Sequence, residues 1–169
     1  MATTVKLYSY DFKSINTYLF AGIFILGNII LPQLAHLIPN GGPMLLPIYF
    51  FTLVAAYKYG LRVGLLTALL SPVLNSLFFG MPMLAVLPII LIKSTLLATA
   101  ASFFSNYFAK INFIGILLSI AVYQVMGSGI EWLILQDFNA AMQDFSLGFP
   151  GMLIQLFGGY ALLKAIAKV

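Results

Sequence analysis

The stretch His36–Pro82, HLIPNGGPMLLPIYFFTLVAAYKYGLRVGLLTALLSPVLNSLFFGMP, decides the fold of this chain. It reads as a loop rich in Pro and Gly, a short apolar helix and a basic turn from Lys58 to Arg62. A second apolar helix, interrupted by Ser71-Pro72, then runs into a tight Gly80-Met81-Pro82 loop. A hairpin of this kind puts both punctuated loops at one end and the basic turn at the other. The first helix, predicted over 44–57, covers roughly 21 Å against a hydrocarbon core of about 30 Å. The segment Ile38–Pro43 is therefore expected to dip into the membrane. Irregular backbone is tolerated at that depth only when it is buried in protein or lines a wet cavity. Both loops read as lids: Pro39, Asn40, Gly41 and Gly42 in one, Gly80, Met81 and Pro82 in the other.

Composition makes lipid the natural solvent. Of 169 residues, 62% are hydrophobic and 7% charged, against roughly 25% charged in a soluble domain. No cysteine is present, which excludes disulfides, thiolate metal sites and a cysteine nucleophile. The N-terminal region lacks a signal-peptide pattern, so the first apolar helix is expected to stay. Working outward from the hairpin, apolar runs predict helices over about 14–36, 44–57, 63–80, 84–109, 113–135 and 148–166. The result is an all-α membrane protein with six transmembrane helices in one integral membrane domain, 1–169. A short surface helix is expected in the connection holding Asp137 and Asp144. With six crossings, Lys6, Lys13, Lys58, Arg62, Lys110, Lys164 and Lys168 all fall on one side, which is seven of the 8 basic residues. The positive-inside rule then predicts that both termini are cytoplasmic, and the scattered cations read as topology signals rather than a nucleic-acid surface. Tyr18, Tyr57, Tyr59 and Tyr107 at the inner level and Trp132 at the outer one fit aromatic belts.

The eighth basic residue, Lys93, lies inside the fourth helix, roughly 13 Å from its outer end. An ammonium there must face the bundle or a watery cavity. Two roles are open to it: counter-charge for an anionic ligand, or a structural tether to Glu131 in the fifth helix. Asn28, Asn75 and Gln124 also sit within spans. Either they gather with Lys93 and Glu131 into one outward-facing substrate pocket, or each bonds a neighbouring helix. His36 has no second ligand at metal spacing, so a lid or interface role is expected and no metal. No P-loop, H-E-x-x-H or G-x-S-x-G motif occurs, and catalysis and cofactors are not expected. Small residues, among them Ala21 and Gly22, Gly127 and Gly129, and Ala161 and Ala165, permit close helix contacts.

The pattern resembles the substrate-binding S component of energy-coupling factor (ECF) vitamin transporters. The resemblance spans most of the chain as architecture, and Pro39–Pro82 carries its more specific part. Within it lie the Gly/Pro loop, Gly60 and Gly64 flanking the basic turn, and Ser71-Pro72 leading to Gly80-Met81-Pro82. It implies a small vitamin-like ligand held near the outer face and closed in by the loops after the first and third helices. It also implies a transmembrane coupling subunit and two ATPases as partners, in the cytoplasmic membrane of a bacterium or archaeon. The family's A-x-x-x-A pair on the first helix is absent here, since Ala21 is followed four residues later by Ile25. A partner interface is expected instead at Ala21, Gly22 and Gly27, with Ala161 and Ala165 a second small-residue pair. Lys93 points to a carboxylate-bearing ligand such as biotin, lipoate or pantothenate. A structural six-span scaffold of the cell-shape type and a stand-alone secondary carrier are the alternative readings; a carrier is expected to show inverted repeats, and none is detectable.

Overall fold

The computed structural model describes residues 7–168 of the chain. Lys6 and the side chain of Lys168, both counted among the inner basic residues, lie outside what it describes. Every regular element among the described residues is helical. In order they are α1 (Ile15–Ala35), α2 (Gly41–Leu45), a 3-10 turn (Pro47–Tyr49), α3 (Phe50–Tyr59), α4 (Leu61–Phe79), α5 (Leu87–Phe108), α6 (Phe113–Leu135), α7 (Phe138–Ala141), α8 (Gln143–Ser146), α9 (Phe149–Leu153), a π-helical segment (Ile154–Gly158), α10 (Gly159–Ala165) and a last 3-10 turn (Ile166–Lys168). Four of them, α1, α4, α5 and α6, are long and apolar enough to cross a membrane. The two remaining segments expected to cross do not reach that length. One is α3 with its preceding 3-10 turn. The other is the run α9–π–α10, about 25 Å long at roughly 1.5 Å per residue.

The bundle is built around α3. Every residue from Thr52 to Tyr59 is buried, and α1, α4, α5 and α10 pack on it. Small residues set that approach. A Cβ on Gly64 of α4 would stand 2.4 Å from the Ala56 Cβ, and one on Gly27 of α1 would stand 2.8 Å from the Phe51 ring. Gly27 and the buried Ala21 therefore serve packing inside the bundle, which corrects their expected place at a partner surface. Gly22 looks onto open space, and Ala161 and Ala165 are exposed.

Two prolines sit inside the long helices, Pro32 in α1 and Pro72 in α4. Pro32 has no N–H, so the Asn28 carbonyl loses its intrahelical donor. Asn75 of α4 supplies one, its Nδ2 donating to the Asn28 carbonyl at 2.9 Å and to the Ser71 carbonyl at 2.9 Å. The Asn28 side chain in turn donates to Thr52 Oγ1 at 3.1 Å and Ser71 Oγ at 3.3 Å, and its Oδ1 accepts from the Phe51 N–H at 3.2 Å. That N–H belongs to the first turn of α3, where no intrahelical acceptor exists. A buried polar clamp thus joins α1, α3 and α4 at the site of the proline.

The basic residues gather at one end. The Tyr8 N–H donates to the Lys58 carbonyl at 2.8 Å, and Arg62 donates to the Tyr10 carbonyl at 3.2 Å and pairs with Asp11 at 3.5 Å. Tyr57 Oη donates to the Lys110 carbonyl at 3.2 Å, and the Lys58 ammonium donates to the Ile166 carbonyl in the last turn. Tyr8, Tyr10, Phe20 and Tyr59 stack beside them. Tyr57 and Tyr59 are consequently buried within the bundle, unlike Tyr18 and Tyr107, which are exposed as belt residues would be. Because α3 is central, Tyr57 and Tyr59 meet protein rather than the membrane interface.

Candidate functional site

Beside the residues that lead into α3, away from Lys58, Arg62 and Lys110, a cavity of about 430 Å³ opens. Its walls come from Pro32 of α1 and His36 just after it, from Leu46–Tyr49 ahead of α3, and from Val86, Ile89, Ile90 and Lys93 around the start of α5. Glu131 of α6 and Gln143 and Asp144 of α8 complete it. Gly42 and Pro43 of the first lid and Met81 and Pro82 of the second also line it, as does Met83. Pro39, Asn40, Gly41 and Gly80, expected in the same lids, are not lining residues. Asn40 and Gly80 adopt left-handed backbone at the ends of helices (φ 55° and 68°) and turn the chain into the loops. Half of the first lid is helical, since Gly41–Leu45 forms α2. α2 rests on α9, where a Cβ on Gly151 would stand 2.5 Å from the Leu45 carbonyl. A smaller hollow of about 220 Å³ beside α1 is lined by apolar residues and Pro47 alone and offers nothing to orient a solute.

Lys93 carries the polar chemistry of the cavity. Its ammonium donates to Glu131 Oε2 at 2.5 Å and to Asp144 Oδ2 at 2.9 Å. The lysine side chain is 3% exposed, and the two carboxylates are 15% and 16% exposed. The position is possible because α6 carries Gly127, whose Cβ, if present, would lie 2.6 Å from Lys93 Cγ. The small-residue signal at Gly127 thus makes room for a lysine stem rather than for another helix backbone. The tether to Glu131 foreseen as one alternative is present, and Asp144 closes it from the other side.

Asp144 was missing from the expected site although the sequence held a signal for it. The chain has 4 acidic residues. Asp11 pairs with Arg62, and Asp137 caps α7 by accepting from the Asn139 and Ala140 N–H groups at 2.9 and 3.1 Å. Only Glu131 and Asp144 remain to meet a buried cation. Behind the cavity wall a second network was also unforeseen. Tyr123 donates to Gln155 Oε1 at 2.9 Å, Gln155 Nε2 donates to the Leu46 carbonyl at 3.4 Å, and the Tyr49 and Tyr123 rings lie 5.2 Å apart. Gln155 sits in the π-helical segment, a form of helix frequent at functional sites.

The expected gathering of Asn28, Asn75 and Gln124 around the same hollow is not what the fold does. Asn28 and Asn75 are spent on the clamp between α1, α3 and α4, because Pro32 and the first turn of α3 need their hydrogen bonds. Gln124 and Ser128 on α6 and Ser94 on α5 are buried with side chains that make no hydrogen bond. None of these lines the cavity.

The class this architecture defines is an all-helical integral membrane protein with a walled cavity away from the basic turn between α3 and α4. No family model, no curated protein and no solved structure matches the chain.

Proposed function

We propose that this protein is a solute-capture subunit of the ECF S-component type, which takes a small vitamin-like molecule from the outer face of a bacterial or archaeal cytoplasmic membrane. In this reading six helical segments cross the bilayer, the four long helices and the two shorter ones. The basic end and both termini face the cytoplasm. The chain itself performs no catalysis. It hands its cargo to a transmembrane coupling subunit driven by two ATPases, with Gly22, Ala161 and Ala165 as outward-facing small positions where partner helices can approach.

The observation that carries the reading is the cavity. It falls within the size range of small-molecule sites, its walls are mostly apolar, and its few polar groups converge from α5, α6 and α8. Both punctuated loops contribute to it, at the end where a solute would arrive. A scaffold needs no such hollow.

The test is to purify the chain in lipid nanodiscs, denature it, and search the extract by mass spectrometry for a small molecule in stoichiometric amount. One is expected, and the cavity-filling variant Ile90→Trp is expected to lose it while remaining folded. Retention of the same molecule by Ile90→Trp would move the site elsewhere, and recovery of none from either protein would remove the capture reading. Uptake into cells is expected only when ATPase partners are co-expressed; uptake without them would favour a stand-alone carrier.

A further inference from the structure

We infer that the cavity takes a solute with a positive charge on a largely apolar body, a protonated amine or a cationic heterocycle, with Glu131 and Asp144 as its counter-charges. This rests on the capture reading and adds the sign of the charge captured. The sequence alone suggested the reverse, because Lys93 is the only lysine or arginine in the middle of a long helix. Charge arithmetic in the folded chain decides otherwise. The wall holds one lysine ammonium and two carboxylates, and these three groups sum to −1.

No other lysine or arginine among the described residues lines the cavity. Lys58, Arg62 and Lys110 belong to the opposite end of the bundle. The polar groups adjoining Lys93 and Glu131 along α5 and α6 that lack partners, Ser94 and Ser128, are neutral. An unbalanced charge against apolar walls is unfavourable, and a monocation brings the site to neutrality whereas a monoanion takes it to −2.

Hydrogen bonding agrees. Each carboxylate spends one oxygen on Lys93, Oε2 of Glu131 and Oδ2 of Asp144, which leaves Oε1 and Oδ1 as acceptors without a partner among the described residues. A cationic donor can use them without breaking anything. The ammonium has only its third N–H left to give, and an anion taking it would stand against both carboxylates. The rest of the wall, including Met81, Met83, Val86 and Ile89, suits an apolar ring body, and methionine adapts its shape to fill around one.

Three probes that share an indole body test the sign: tryptamine as cation, tryptophol as neutral and indole-3-propionate as anion. Their binding to the full chain in nanodiscs would be measured by calorimetry at millimolar concentration, with Ile90→Trp as the blocked control. Tryptamine is expected to bind about tenfold more tightly than indole-3-propionate, the scale of a charge-assisted hydrogen bond. The double variant Glu131→Gln, Asp144→Asn leaves Lys93 as the only charge and is expected to reverse the order. The single variant Glu131→Gln, whose wall sums to zero, is expected to abolish the preference and serves if the double variant does not fold. Equal or tighter binding of the anion to the unmodified chain would overturn the charge assignment while leaving solute capture standing. An order unchanged in the variants would overturn it too. Failure of all three probes to bind, or binding equal in Ile90→Trp, would overturn both.

Discussion

Replacing Lys93 with Met removes the ammonium and keeps a long unbranched stem over Gly127, so the loss measured is of charge and hydrogen bonds and not of packing. Two carboxylates that shared one cation at 2.5 and 2.9 Å are then left facing each other. Breaking a fully buried ion pair costs about 3–5 kcal/mol, whereas an exposed pair contributes about 0–1 kcal/mol. At 15% and 16% exposure these carboxylates lie nearer the buried limit, and one of them can regain neutrality by taking up a proton. The expected destabilisation of Lys93→Met is therefore about 2–3 kcal/mol. The triple variant Lys93→Met, Glu131→Gln, Asp144→Asn has no charge left to strand and is expected within about 1 kcal/mol of the unmodified protein. Reversible denaturation in mixed micelles, followed by circular dichroism, measures both, and adding the variant Glu131→Gln, Asp144→Asn completes the cycle that gives the coupling energy. If Lys93→Met shifted stability by less than about 0.5 kcal/mol, or if the triple variant were no more stable than the single one, the three groups would not be acting as a unit.

Gly127→Val is expected to push the Lys93 stem out of its seat and to lower both stability and solute binding, while Gly22→Ala, which meets open space, is expected to change neither; thermal unfolding with and without solute reads both. Asn75→Ala removes two buried donor bonds and is expected to cost about 1–2 kcal/mol, with solute affinity unchanged within about threefold because Asn75 does not line the cavity. The absence of native cysteine makes single-cysteine labelling unambiguous. In intact cells a membrane-impermeant maleimide is expected to reach Ala85→Cys, in the exposed turn between the second lid and α5, and not Asn106→Cys near the basic end. The reverse pattern would overturn the proposed orientation.

Much of the helical framework was legible because lipid imposes a simple rule on sequence: long apolar stretches must hydrogen-bond to themselves. The fifth predicted helix, 113–135, coincides with α6, and the others fall within a few residues of helical segments. The exceptions are instructive. The sequence before the second predicted helix reads as an irregular loop, yet three of its residues, Gly41–Pro43, belong to α2, because resting on α9 supplies contacts that no local signal announces. The last helix was read as one run, yet it passes through a π-helical segment that turns Gln155 inward to bond Tyr123. Asn75 was legible as a polar group inside a membrane helix, but its role depended on which neighbour had a carbonyl to spare.

The sequence by itself determined that the chain is helical, apolar and punctuated by two loops, and that its cations lie near one set of helix ends. These follow from local hydrogen bonding and from the cost of charge in lipid, both of which act residue by residue. Only the tertiary structure decided that α3 lies at the centre, that residues of both loops line one cavity, and that Lys93 is held by two acids from different helices. Glu131 and Asp144 stand 38 and 51 residues from Lys93, so their combined charge exists as one site only after the chain has brought them together.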